Sequence, residues 1–258
     1  MGLEQALARF AFTLSLLQEP AAVQKIAREI CEDAAAEGVT TLEIRFAPQL
    51  HQGAGMEAIV DAALGGIDGR AGLLLCGLYG EPPELIERLV DIAHTRDGVV
   101  GIDLAGGPAP HHRWDMSDYA DAFRRARRLG LGTTVHAGEG RPPSEIRTAI
   151  EQLHAQRIGH GTTLMDDPNV LDLVLERGVT IEACLTSNMH VGAIERVEDH
   201  PLPRWLEAGV KACVCTDNTL LSAVDSHEEL RRASAIPGMS AQLLDQVVRN
   251  GHAAAFPR

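Results

Sequence analysis

Three short apolar segments of this chain each lead to a side chain that can bind a metal ion or transfer a proton. His136 ends one segment, His160 ends the next, and Asp217 follows a third. A neutral imidazole is a good zinc ligand, and a carboxyl group close to it can move a proton. Glu139 places such a carboxyl group shortly after His136. The pattern predicts a metal-dependent hydrolase rather than a protein that only binds a ligand.

A structural role is the alternative for each residue taken alone, because a single histidine at the end of a strand is more often part of the core. Here the arrangement recurs at three segment ends, and Gly159 and Gly161 flank His160. The recurrence favours one shared site. Asp103, which follows the apolar run VVGI, fits the same site and a hydrogen-bonded structural role equally well.

The segments that carry these residues alternate with longer helical patterns. Strict alternation of strand and helix predicts a parallel sheet with helical crossovers, and nearly continuous apolar strands are typical of a sheet buried on both faces. We predict seven strands, at residues 39–46, 72–78, 99–104, 132–136, 157–160, 179–184 and 211–215. We predict helices near residues 21–37, 84–95, 117–129, 144–153 and 170–176.

These elements predict an α/β fold of the TIM type, in which the active site lies at the C-terminal ends of the strands. A closed (β/α)8 barrel has eight strands. We therefore expect a barrel without its first strand. The length of 258 residues fits a single domain of this kind over residues 1–258.

Composition argues against several other classes of function. A net charge of −13, with only two Trp, two Tyr and five Phe, disfavours nucleic acid or an anionic membrane surface as a partner. The arginine-rich residues 124–128 follow a helical pattern and are expected to form its solvated face. Five cysteines without a C-x-x-C spacing, and a start unlike a signal peptide, predict reduced thiols and a cytoplasmic location.

Six segments of the chain, in this order and spacing, resemble the adenosine deaminase family. They are LEIRFAP at 42–48, GIDLAG at 101–106, TVHAGE at 134–139, RIGHG at 157–161, EACLTSN at 182–188 and TDN at 216–218. The resemblance covers essentially the whole chain. It implies a (β/α)8 barrel that holds one zinc ion and replaces the 6-amino group of a purine nucleoside with oxygen.

The resemblance also implies a role for each matching residue. His136 would be a zinc ligand, and Asp217 a second ligand that also bonds the metal-bound water. His160 would orient or deprotonate that water. Glu139 would protonate the purine ring nitrogen next to the carbon under attack. The other zinc deaminase plan, with its H-x-E and P-C-x-x-C signature, has no counterpart in this sequence.

The purine site is where the chain both matches the family and departs from it. The resemblance implies that Gly106 lets the purine lie close to the backbone and that Asn218 faces its ring. Many members have a second Asp at the position of Asn218, an acidic residue at that of Gly107-Pro108, and Pro at that of Leu185. The first two differences leave open which adenine derivative is the substrate.

A further departure concerns the metal. The family's first strand carries an H-x-H pair that supplies two zinc ligands, and this sequence contains no H-x-H. Residues 2–10 instead resemble a later helical segment of the family, so we expect a chain that is incomplete at its N-terminus, binds zinc weakly and can self-associate through bare strand edges. Two alternatives remain open: an inactive barrel remnant that acts as a binding module, and a metal hydrolase that acts on another amino-substituted heterocycle.

Overall fold

The computed structural model describes the backbone of residues 3–258 and the side chains of residues 10–258. Seven strands are present in this part of the chain: β1 Glu43–Phe46, β2 Gly72–Leu78, β3 Val99–Ala105, β4 Gly132–Ala137, β5 Arg157–His160, β6 Thr180–Ala183 and β7 Lys211–Val214. The α-helices are α1 Leu3–Leu16, α2 Pro20–Ala36, α3 Met56–Ile67, α4 Pro83–His94, α5 Ala120–Arg128, α6 Ser144–Glu151, α7 Pro168–Arg177, α8 Leu185–Val191, α9 Leu202–Glu207, α10 Thr219–Ser222, α11 Ser226–Ser234 and α12 Ala241–Ala254. The chain forms two compact units, one of Leu7–Thr133 with Ala255–Arg258 and one built on Thr134–Ala254.

In the first unit, β1, β2 and β3 pair in parallel. The sequence of β2, GLLLCGL, is buried at all but its last residue, as expected of a strand covered on both faces. Helix α2 packs closely on α3 at Gly66, where an added Cβ would lie only 2.2 Å from the Gln24 carbonyl oxygen. Glycine at this position therefore allows the two helices to approach each other.

The C-terminal tail packs against the strands of the first unit. Phe256 is buried against Leu74 and Val100. Its backbone N–H donates to Glu43 Oε1 at 2.8 Å. A Cβ on Gly132 would come within 2.2 Å of the Phe256 ring, so the absence of a side chain at Gly132 leaves room for the ring. The tail thus fixes the end of the chain next to the start of β1.

In the second unit, β4, β5, β6 and β7 pair in parallel in that order. His136 of β4 is paired with Gly159, and Ala137 with His160 of β5, so the register brings the two histidine-bearing strand ends together. Helix α12 packs against β7, where the Asn250 side-chain amide donates to the Ala212 carbonyl oxygen at 3.0 Å. A side chain therefore satisfies one backbone acceptor of β7.

The structure confirms all seven predicted strands, and the largest boundary difference is at the start of the first. We expected the first strand from residue 39, but β1 begins at Glu43. Gly38 has a φ of +74°, and the Val39 N–H donates back to the Ala34 carbonyl oxygen at 2.9 Å. The chain is therefore still completing the end of α2 at residue 39.

The five predicted helices are present, and the arginine-rich helix α5 is oriented as predicted. Ala122, Phe123 and Ala126 are buried, whereas Arg125 is half exposed and pairs with Glu87 across the surface. The pattern did not predict α3 or the helices from α8 to α12, most of which are short. None of the helices described, residues 3–258, is long and apolar enough to cross a membrane.

Candidate active site

The site forms at the carboxyl ends of β4 and β5. His136 lies one residue before the end of β4, and His160 is the last residue of β5. Their rings lie 4.9 Å apart, measured between centroids. His160 is almost fully buried. The parallel register therefore brings together the two histidines that the sequence singled out.

Glu139 reaches the same place through a tight turn. Gly138 has a φ of +67°, a conformation that favours glycine, and a Cβ there would meet Ile146 at 2.7 Å. The turn brings Glu139 Oε1 to 3.4 Å from His160 Nδ1, with only 11% of the Glu139 side chain exposed. A carboxyl group and an imidazole are thus held together, mostly out of water, where either can hold or pass a proton.

Glu145 lies beside this turn and was not predicted from the sequence. Its carboxylate accepts the Gly138 N–H at 3.4 Å and pairs with Arg141 at 3.0 Å. Burial raises the pKa of Glu145, and Arg141 partly offsets the rise. Glu145 therefore anchors the loop that carries Glu139.

Two predicted catalytic residues have an unusual backbone conformation. His160 has a φ of +70° and Asp217 a φ of +54°. A positive φ costs a non-glycine residue energy and is concentrated at functional positions. His160 is the last residue of β5 and Asp217 lies shortly after β7, so both positive φ angles occur where a strand gives way to the loop that follows it.

Asp217 is tied to His160 through two adjacent residues of helix α8. The Ser187 hydroxyl donates to Asp217 Oδ2 at 2.6 Å. The next residue, Asn188, places its Oδ1 atom 2.7 Å from His160 Nδ1. Ser187 and Asn188 are both buried. Asp217 is exposed, but its carboxylate is held by the residue that directly precedes the partner of His160 in the chain.

Asn188 also contacts a second buried histidine, His200. Asn188 Nδ2 lies 3.1 Å from His200 Nε2, and the Leu202 N–H donates to His200 Nδ1 at 3.1 Å. Burial, together with the smaller effect of the nearby His160, lowers the pKa of His200 to about 3. His200 is therefore neutral at physiological pH.

Three further residues that the sequence singled out are Gly106, Asn218 and Asp103. Gly106 follows β3 in the first unit, with a φ of +75° and open space where a Cβ would be. Asn218 caps the N-terminus of α10 through its backbone carbonyl, which accepts the Ser222 N–H at 2.9 Å. Asp103 is buried and pairs with Arg45 at 3.1 Å, an interaction consistent with the structural role left open above.

The metal site is incomplete in the described part of the chain. Among those residues, no group of three His, Cys, Asp or Glu side chains is arranged to hold a metal ion. Catalytic zinc normally has three protein ligands. His136 and Asp217, the two ligands implied by the resemblance, do not by themselves fit a complete zinc site.

Sequence reasoning missed three functional neighbours. Ser187 and Asn188 lie in the motif EACLTSN, but the motif does not indicate which residues they contact. His200 stands alone before Pro201, in a segment without any recognised pattern. Its contact with Asn188 in the folded chain links it to the site.

Comparison with known proteins identifies the family of this chain. Residues 1–258 match the adenosine deaminase family. The adenosine deaminase of Enterococcus faecalis is 34% identical, and the match covers 98% of this chain and 77% of that protein.

Solved structures give the same result for the fold. An adenine deaminase from Arthrobacter aurescens superposes with a TM-score of 0.89 at 24% identity, over 100% of this chain and 81% of that one. An amidohydrolase from Burkholderia ambifaria, solved with bound zinc, gives a TM-score of 0.84 at 25% identity, over 93% and 70% of the two chains. The predicted α/β fold of the TIM type is confirmed. Together with the match over its full length, this shows that the chain belongs to the adenosine deaminase family of hydrolases.

Proposed function

We propose that this protein catalyses the hydrolytic deamination of an adenine nucleoside or base. Water adds to the ring carbon that bears the amino group, and ammonia leaves to give the 6-oxo purine. The observation that carries the proposal is the mostly buried pair of Glu139 and His160, 3.4 Å apart, in a member of this family. The names of the relatives, an adenosine deaminase and an adenine deaminase, support the same substrate class.

Glu139 and His160 divide the proton chemistry in this proposal. Glu139 as a carboxylic acid donates a proton to the ring nitrogen beside the attacked carbon, which removes aromatic stabilisation and makes that carbon electrophilic. His160 orients the attacking water or takes its proton. Ser187 holds the Asp217 carboxylate through the 2.6 Å hydrogen bond. Removal of a positioned acid or base typically lowers the rate by about 10²- to 10⁴-fold.

Gly106 and Asn218 are proposed to contact the purine. The open space around Gly106 supports a close approach of the ring to the backbone. Asn218 can both donate and accept a hydrogen bond through its amide, whereas an ionised Asp only accepts. The preference of the protein between adenosine, adenine and related compounds is therefore expected to depend partly on Asn218.

Zinc is the proposed cofactor, with His136 and Asp217 as two of its ligands. The family and the neighbour solved with bound zinc support this choice. Zinc held there would lower the pKa of a coordinated water to about 7, which is the chemistry that the metal would supply to the site. Because the described residues contain no group of three donor side chains arranged to hold a metal ion, we expect the 258-residue chain to retain less than one zinc per chain after dialysis.

We also propose a cytoplasmic location. All five cysteines are reduced thiols, and four of them are buried. Such thiols are typical of proteins from a reducing compartment.

The test is ammonia release by the purified chain from adenosine, adenine and AMP, with and without added zinc, while zinc content is measured by elemental analysis. Release that Glu139→Gln abolishes would support the proposal. An inactive, folded protein that still binds one of these purines would favour the binding-module alternative. Release from another amino-substituted heterocycle, with no response to any adenine derivative, would favour the third function considered above.

A further inference from the structure

A row of buried polar groups runs from the site into the protein behind it. His160, Asn188 and His200 are all nearly inaccessible to solvent. The Asn188 amide lies between the two rings, 2.7 Å from His160 Nδ1 and 3.1 Å from His200 Nε2. The row ends at the backbone N–H of Leu202, 3.1 Å from His200 Nδ1. Each of these contacts needs one donor and one acceptor, so the protons along the row depend on each other.

The backbone N–H at the end of the row determines which groups in the row donate hydrogen bonds and which accept them. Leu202 is the first residue of α9, and the first N–H groups of a helix have no acceptor within the helix. A backbone N–H can only donate, so His200 Nδ1 must accept. A neutral imidazole that accepts at Nδ1 carries its hydrogen on Nε2. His200 therefore donates from Nε2 to Asn188.

The Asn188 amide must then present its oxygen to His200. With its NH₂ group at that position, two donors would face each other at 3.1 Å. A half turn about the Cβ–Cγ bond exchanges the amide oxygen and nitrogen and leaves the shape of the side chain nearly unchanged. After this turn the NH₂ group lies at 2.7 Å from His160 Nδ1, which must accept. This is the arrangement that satisfies all three contacts at once.

We propose that Asn188 and His200 are positioning residues that hold His160 in the neutral tautomer with its hydrogen on Nε2. This inference rests on the proposed function for its catalytic meaning. In that tautomer His160 offers an N–H group to the attacking water, so it orients the water as a hydrogen-bond donor instead of removing its proton. Glu139 Oε1 lies 3.4 Å from the same Nδ1 atom, so Asn188 and Glu139 both face this side of the ring.

The test is an NMR measurement of tautomers that does not depend on activity. The full chain is labelled with ¹⁵N at its eleven histidines, and long-range ¹H–¹⁵N correlations are recorded. The signals are assigned with His160→Gln and His200→Phe. We expect both His160 and His200 to show a protonated Nε2 and an unprotonated Nδ1. A His160 with a protonated Nδ1, alone or together with Nε2, would overturn the proposal.

Asn188→Asp sharpens the test, because a carboxylate only accepts. It would take hydrogen bonds from both rings, so the His160 hydrogen should move from Nε2 to Nδ1 while His200 keeps its tautomer. We expect kcat to fall at least 10-fold with little change in KM. An unchanged His160 tautomer in this variant would contradict the proposal. If the variant does not fold, the spectrum of the parent protein still decides, and a correct tautomer in an inactive parent would refute only the proposed function.

Discussion

Glu139 and His160 form the functional centre of the site at the residue scale. A tight turn at Gly138 and a positive φ at His160 hold the two side chains 3.4 Å apart. Glu139 lies two residues beyond the end of β4, whereas His160 is the last residue of β5 and is paired with Ala137, so strand pairing and the turn together place the two side chains. The local strain is the cost of bringing an acid and an imidazole together out of water.

The first prediction concerns Glu139→Gln. Gln has nearly the same shape but cannot donate a carboxyl proton, so kcat should fall by about 10²- to 10⁴-fold in the zinc-loaded protein while KM changes little. Steady-state ammonia release measures both constants. Glu151→Gln, on the exposed side of α6, is the control and should behave as the parent. Equal turnover of Glu139→Gln and the parent would show that Glu139 is not the proton donor.

The second prediction concerns the pH dependence of stability through His200. Burial lowers its pKa to about 3, whereas an unfolded histidine has a pKa of about 6.5. Between these values the unfolded chain binds a proton that the folded chain does not, so stability falls as the pH falls below 6.5. The contribution is about 1.4 kcal/mol per pH unit, or about 2 kcal/mol between pH 7 and pH 5.

Urea unfolding at pH 7, 6 and 5 measures this dependence. His200→Phe removes the titrating group, so its free energy of unfolding should fall less steeply over the same range, whatever its absolute stability. Parallel curves for the parent and His200→Phe would mean that His200 does not stay neutral in the folded protein.

At the element scale, adjacent glycines near the end of α3 have opposite roles. A Cβ on Gly66 would lie 2.2 Å from the Gln24 carbonyl oxygen of α2. A Cβ on Gly65 would approach only the flexible end of the Gln24 side chain, at 3.1 Å. Gly66 is therefore needed for the close packing of α2 on α3, whereas a methyl group can be accommodated at Gly65.

The third prediction compares alanine at these two positions. Gly66→Ala forces α2 and α3 apart and should destabilise the protein by about 1–3 kcal/mol. Gly65→Ala adds helix propensity at an exposed position and should be neutral or stabilise by up to about 1 kcal/mol. Urea unfolding of both variants provides the comparison. Equal effects of the two substitutions would show that the α2–α3 contact does not depend on Gly66.

At the scale of the whole molecule, β1 and β7 are each paired with a neighbouring strand on one side only, within the part of the chain that the structure describes. Strand β1 pairs with β2, and β7 pairs with β6, at the ends of the strand order. Unpaired strand edges can recruit other chains. The sequence predicted a strand edge with unpaired backbone groups at β7. The Asn250 side-chain amide donates a hydrogen bond to one of these groups, the Ala212 carbonyl. Self-association through these edges stays a prediction.

The fourth prediction tests that edge with Asn250→Leu. Loss of the amide donor exposes the Ala212 carbonyl and should cost about 1 kcal/mol of stability. It should also increase concentration-dependent association, measured by sedimentation velocity. Gln242→Leu, which adds the same apolar side chain to an exposed position of α12, is the control. Equal association of both variants would assign the effect to surface hydrophobicity alone.

The sequence by itself determined the strands and the order of the chemical groups along them. Apolar runs and glycine stops are local signals, so all seven strands and the positions of His136, Glu139, His160 and Asp217 at or after strand ends were predicted. The six motifs likewise identified the family. The largest boundary difference is at the first strand, which was predicted too long because the turn after α2 has an apolar residue at Val39.

The tertiary structure alone decided which groups these residues contact. Ser187 and Asp217 are thirty residues apart along the chain, and Asn188 and His160 twenty-eight. No local pattern encodes such pairs, since a hydrogen bond depends on where two backbones bring their side chains. The same holds for His200, whose proton position follows from the N–H of Leu202 at the start of a helix. The sequence therefore identifies the reacting groups, whereas the fold determines which of them donate hydrogen bonds and which accept them.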